Sequence, residues 1–245
     1  MTASFAADER AVVGVDGCRA GWILVMGRPG TRDFCHALLK SFGDVIAFAE
    51  SAAVLAVDMP IGLHEAAEVG GRECDRVARE FLGERGCCVF SPPVRAALRC
   101  ATYDLARAEN SKSSPARIGL SRQAFGLFPK LLDVDECMSP QLQDRVFEVH
   151  PELSFYEMNG QRAMTERKKS SSGFSQRRSL LERAGFGNVI EVMLRGYPRK
   201  DVGRDDVVDA CVACWTAERI RKENAIRVPE VRLVDARGLR MEIWR

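Results

Sequence analysis

Short runs of β-favouring apolar residues, two of them closed by an aspartate, constrain this chain most. AVVGVD (11–16) is β-rich, GCRAG after it reads as a turn, and WILVMG (22–27) reads as the returning strand, so a hairpin is predicted. AVLAVDMP (53–60) is stopped by an acid and a proline and fits a parallel strand buried on both faces. Further strands are expected around TRDFCHALL and in DRVFEVHPE (144–152). Helical spacing marks SFGDVIAFAES (41–51), with Ser41 or Asp44 near its start, and RECDRVAREFLG (72–83), which closes on Gly83 as a C-cap. It also marks SRQAFGLFPKLLDVDECM (121–138), where Pro129 signals a kink or a new start. RKKSSSGFSQRR (167–178) reads as a basic loop entering the helix RRSLLERAGF, and a long helix runs from RDDVVDACVACW (204–215) to about Lys222. EVRLVD and LRMEIWR are expected to close the chain as a hairpin.

Strands first, then strands alternating with helices, predict an α/β or mixed three-layer domain around a central sheet. Residues 1–10 read as a flexible N-terminal tail and 11–245 as one domain. A chain of 245 residues, 46% hydrophobic, can bury one substantial core.

Charge and cysteine usage exclude several classes. Lys and Arg total 36 against 34 Asp and Glu, a net charge of +2, so binding to nucleic acid must come from a local basic stripe. The start MTASFAADER lacks a signal-peptide core, and charges interrupt every apolar run well short of membrane-spanning length. No membrane partner is expected. The nine cysteines are odd in number and scattered, which argues against a disulfide framework and for a reducing cytoplasm. Cys211 and Cys214 form a C-x-x-C inside a helical pattern, and without a second ligand pair they read as buried thiols.

The acids carry the chemistry. Asp16 and Asp58 end apolar runs, and Glu148 lies near the end of another, next to His150. A charge on an apolar central strand is costly unless it is paired or bound to a cation. Aspartates also initiate turns, and Asp205 and Asp206 suit the cap and first turn of a helix. Capping does not account for Asp209, because Val208, Cys211, Val212 and Trp215 form an apolar face beside it. Converging carboxylates would repel one another unless divalent cations are shared, and hard oxygen donors suit Mg²⁺ or Mn²⁺.

VGVDGCRAGW, AVDMPIGL, RECDRVAREFLGERGCCVFSPP, EVHPELSF and DDVVDA, in this order, resemble the family of predicted RNase H-like nucleases known as domain-of-unknown-function family 429. The resemblance runs from about Val12 to Glu218. It implies the RNase H-like three-layer fold, a central mixed β-sheet flanked by helices. The wider superfamily, Holliday-junction resolvases included, carries an acid on the first strand, another on a later strand and a D-x-x-D at the start of a late helix. Asp16, Asp58, Asp206 and Asp209 match those places. Glu148 and His150 enter as additional candidates. Two departures bear on the substrate: Cys18-Arg19-Ala20-Gly21-Trp22 follows the first strand, and Asp58 stands where resolvases more often have a glutamate.

The implied activity is phosphodiester hydrolysis with two Mg²⁺ or Mn²⁺ ions about 4 Å apart. Asp16 is expected to bridge them, with Asp206 or Asp209 on one ion and Asp58 on the other. Glu148 or His150 would position water or shuttle a proton. The expected partner is nucleic acid of unspecified type, contacted by residues among Arg19, Arg72, Arg79, Arg85, Lys168, Lys169, Arg177 and Arg178. Within Lys168–Arg178, Gly and Ser would let the backbone approach a phosphate, although a solvated basic loop reads equally well. Two other functions compete. One is an ATP-dependent phosphotransferase of the actin and sugar-kinase type, suggested by GVDGCRAG. The other is a non-catalytic binding module that keeps the acids as scaffold.

Overall fold

The computed structural model describes residues 10–245. The predicted N-terminal tail therefore lies, except for Arg10, outside the described residues. β1 (Val12–Cys18) and β2 (Gly21–Gly27) form the predicted hairpin, paired from Val12↔Gly27 to Cys18↔Gly21 around Arg19 and Ala20. β3 (Phe34–Leu39) adds antiparallel to β2, β4 (Val54–Val57) adds parallel to β1, and β5 (Val146–Glu148) adds parallel to β4. The sheet order is β3-β2-β1-β4-β5, and only β2 runs against the rest.

Strand alternation divides the core between the two faces of this sheet. Val12, Cys18, Ile23, Val25, Val54 and Ala56 pack in one cluster with α6 (Pro151–Met158), α7 (Ser171–Arg183), α8 (Gly187–Gly196) and α9 (Arg204–Arg221). On the other face Trp22 meets Phe42 of α1 (Phe42–Phe48), ring centroids 5.2 Å apart. α1 begins at Ser41, whose side chain accepts from the Asp44 amide while the Asp44 carboxylate accepts from the Ser41 amide. Sheet and helices make the three-layer α/β architecture expected of an RNase H-like chain.

The described chain divides into two compact units. The sheet and these five helices belong to the first, Met59–Asp144 and Arg227–Ile243 to the second. The second unit contains α2 (Glu73–Leu82), α3 (Tyr103–Lys112), α4 (Arg122–Gly126) and α5 (Phe128–Cys137). α2 ends on Gly83 at φ 52°, and Pro129 opens α5 in its first turn, so it marks a new start and no kink.

Two expectations of secondary structure need correction. The basic segment 167–178 is a loop only to Ser170, whose hydroxyl accepts from the Gly173 amide at 3.0 Å and starts α7 there. Arg177 then falls inside that helix, where it is 0% exposed and bidentate with Glu152 at 2.6 and 2.8 Å. The closing hairpin is reduced to one antiparallel bridge, Val234–Arg240, because the Asp235 carboxylate gathers the Arg237 and Leu239 amides into a tight turn. In the second unit Asp75 pairs with Arg72 at i−3, and Arg79, expected to contact substrate, reaches the Gly70 and Val89 carbonyls and the Ser91 hydroxyl.

Candidate acidic metal site

The site begins with a glycine. A Cβ on Gly14 would lie 1.9 Å from the backbone nitrogen of Cys214 and 2.3 Å from the carbonyl oxygen of Ala210. The backbone of α9 therefore rests directly on β1, an approach only glycine permits. Cys211 and Cys214 are buried in the same contact, as expected of helix thiols, and burial raises the pKa of both. Two residues beyond Gly14, Asp16 pairs with Ile23 and shares its face, so its carboxylate points toward α9. Asp209 descends from the second turn of that helix and is 0% exposed. Asp58 follows β4, tethered beside β1 by its amide, which donates to the Val15 carbonyl at 3.0 Å.

These three acids converge. One carboxylate oxygen each from Asp16, Asp58 and Asp209 lies within 4.8 Å of the other two. Asp16 Oδ1 accepts from the Gly17 amide at 2.8 Å. Asp209 Oδ2 accepts from Lys168 Nζ at 2.7 Å, while Oδ1 is buried and has no hydrogen-bond partner among the described residues. An anionic oxygen buried without a partner is strongly disfavoured unless a cation completes it.

The electrostatics follow from this crowding. Burial first, then the charges of Asp58, Asp209 and Asp206, raise the Asp16 pKa well above the carboxylate range, with Lys168 opposing. Burial and Asp209 push Asp58 up to about 7, although Lys168 and a hydrogen bond shared with Asp16 pull the other way. Asp209 is raised by burial against the pull of Lys168. Lys168 is raised well above its ordinary value, chiefly by Asp209. One ammonium thus faces several carboxylates and does not neutralise them.

The remaining predicted residues divide. Asp206 Oδ2 accepts from the Gly203 amide at 2.8 Å, so it caps α9 and stands outside the convergent trio. Its pKa is nevertheless up to about 6, mainly through burial against that amide. Glu148 pairs with Val57, one residue short of Asp58, and alternation turns it away from the face of Phe147 that packs toward α9. It contributes a weak repulsion at Asp58. His150 is the N-cap residue of α6 and partly exposed. Lys168, expected to contact substrate, is the counter-charge of Asp209. Arg177 is not a surface contact at all: it holds Glu152, which adds to the repulsion on Asp209. Arg178 is taken by Glu182 at 2.7 Å and by Glu191. Lys169 and Arg19 are exposed. Arg72, Arg79 and Arg85 belong to the second unit, where Arg72 is buried on Asp75 and the Ile61 and Gly62 carbonyls.

Gly14 and the Arg177–Glu152 pair were not read from the sequence as parts of the site. The glycine had a signal, since it interrupts a β-branched run that would otherwise be continuous. The buried pair had none, because its partners lie 25 residues apart.

Fold and site together define a three-layer α/β domain carrying a largely buried trio of carboxylates able to hold a metal ion. The chain belongs to the family described as Protein of unknown function (DUF429), which matches residues 14–233. No curated protein and no solved structure matches it. Among the described residues no helix is long and apolar enough to cross a membrane.

Proposed function

We propose that the protein is a Mg²⁺- or Mn²⁺-dependent nuclease that hydrolyses phosphodiester bonds of nucleic acid. The observation that carries this is the convergence of one carboxylate oxygen each from Asp16, Asp58 and Asp209 within 4.8 Å, with Asp209 Oδ1 buried and without a hydrogen-bond partner among the described residues. An all-oxygen donor set favours hard divalent cations over zinc or copper. Asp16, Asp58 and Asp209 would hold the metal, with two ions as the reading taken over from the family resemblance. When bound, the metal supplies charge neutralisation at the scissile phosphate and lowers the pKa of water.

The chain's own residues do the rest. The Gly17 amide holds Asp16 Oδ1 and so fixes the carboxylate. Lys168 fixes Asp209 in the same way through Oδ2 and leaves Oδ1 available. Asp58, its pKa pushed up to about 7, shares a hydrogen bond with Asp16, and a cation held there would favour its deprotonated form.

Purified protein incubated with single-stranded, duplex, hybrid and branched oligonucleotides should cut at least one of them with Mn²⁺ or Mg²⁺ and none in EDTA. Asp209→Asn should slow that cutting by about 100-fold or more, as loss of a metal ligand does. Equal cutting by wild type and Asp209→Asn would show a contaminating nuclease. No cutting of any substrate by folded, metal-loaded protein would refute the proposal.

A further inference from the structure

Beside the acidic trio, at the same end of the sheet, the first unit carries a cluster of cations of which the predicted substrate contacts included only Arg19. The amide of Ala20, in the β1–β2 turn, donates to the Asp201 carbonyl at 3.1 Å, which joins that turn to the loop before α9. Lys40 Nζ reaches the Ala20 carbonyl from the end of β3 at 3.5 Å. Three separate segments therefore meet at one backbone position and bring together Arg19, Lys40, Arg199 and Lys200. All four side chains are exposed, and none has an acidic partner within ion-pair distance among the described residues. Arg195 and Lys222 of this unit each lean on a glutamate, and other exposed cations without an acidic partner among the described residues, Lys169 and Arg183 among them, are not joined to the β1–β2 turn by these backbone contacts. Asp201 is half-buried on the same loop and offsets one of the four charges.

From these contacts we infer that Arg19, Lys40, Arg199 and Lys200 form a docking rim for the phosphodiester backbone of a nucleic-acid strand. The rim rests on the nuclease reading for its orientation, since it borders the place where that reading puts the scissile bond. Arg19 lies three residues past Asp16, about 10 Å at the rise of a strand. That is a span of about three nucleotides at roughly 3.4 Å each. Unpaired Lys and Arg on a rigid hairpin and loop suit sequence-independent phosphate contact. The rim also takes over the role expected of Arg177 and Arg178, whose charges are already satisfied.

Binding in EDTA separates this inference from catalysis. A fluorescein-labelled oligonucleotide, as single strand and as duplex, is titrated with full-length protein by anisotropy at several salt concentrations. The triple variant Arg19→Ala/Arg199→Ala/Lys200→Ala should bind about tenfold or more weakly. The slope of log K against log [salt] should become shallower by about 2 on single strands and about 3 on duplex. A control with the same loss of charge, Arg28→Ala/Arg183→Ala/Arg195→Ala, should keep the wild-type slope. Equal losses in both variants, or no wild-type binding at low salt, would overturn the inference. Displacement by poly-glutamate as readily as by unlabelled oligonucleotide would assign the face to an acidic protein and overturn it as well. Salt-dependent binding through the rim without metal-dependent cutting would instead keep the rim and remove the nuclease reading.

Discussion

Gly14→Val is expected to abolish the native fold. A Cβ at this position would lie 1.9 Å from one backbone atom of α9 and 2.3 Å from another, and no side-chain rotation relieves a clash with backbone. Overpacking of ordinary cores costs about 1–3 kcal/mol. Here the strand and the helix must separate, and Cys211, Val212 and Ala213 lose their packing with them, so a cost above about 4 kcal/mol is expected. That is most of a typical domain's stability. Gly14→Ala places the same Cβ against the same backbone, so it should lower stability nearly as far, and whatever protein still folds should gain less from metal, because Asp209 moves away from Asp16. Gly126→Ala is the control: a Cβ at Gly126 meets nothing within 4 Å, so circular-dichroism melts should show no loss. Equal melting temperatures for wild type and Gly14→Val would mean that α9 does not rest on β1.

Asp16→Asn should stabilise the metal-free protein while removing the activity proposed for it. The carboxyls of Asp16, Asp58 and Asp206 are all raised, Asp58 to about 7 and Asp206 to about 6. A carboxyl that is raised in the folded state binds its proton more tightly there than in the unfolded chain. Stability is therefore greatest where these groups are protonated in both states, and it falls as the pH climbs from about 4 to about 7. A tenfold gain in proton affinity on folding corresponds to about 1.4 kcal/mol, so the fall across that window is on the order of a few kcal/mol. Asn at position 16 cannot ionise and removes one source of repulsion, so the stability profile of Asp16→Asn should be flatter and higher near pH 7. Urea denaturation across this pH range reads the difference directly. A wild-type profile that rises from pH 4 to pH 7, as in most acid-sensitive proteins, would contradict the picture of a repelling cluster.

The fold was legible where periodicity is strong and local. β1, β2, β4 and α9 lie close to their predicted places, since alternation, a proline stop and a long apolar stripe each report one residue's surroundings. Ser170 and Gly173 misled because a serine- and glycine-rich run reads as loop, whereas Ser170 caps a helix and Gly173 lies in its first turn. Asp16, Asp58 and Asp209 were legible as a set because each is an acid amid apolar residues. Their grouping excludes Asp206, whose carboxylate turns back on Gly203, and sequence spacing alone cannot tell a capping carboxylate from a ligating one. The fate of Lys168 and Arg177 was out of reach for a related reason. A basic residue's role depends on which acid the fold brings to it, and Asp209 and Glu152 are 41 and 25 residues away.

The most direct measurement is a calorimetric titration of Mn²⁺ into metal-free protein at about pH 8 and about pH 5, for wild type and Asp16→Asn. Wild type should bind saturably at the higher pH and about tenfold or more weakly at the lower, where protons compete for the same oxygens. Asp16→Asn should lose most of that affinity. Wild-type protein that neither binds Mn²⁺ nor gains thermal stability from it at about 10 mM, while remaining folded, would contradict the claim that Asp16, Asp58 and Asp209 form a cation site.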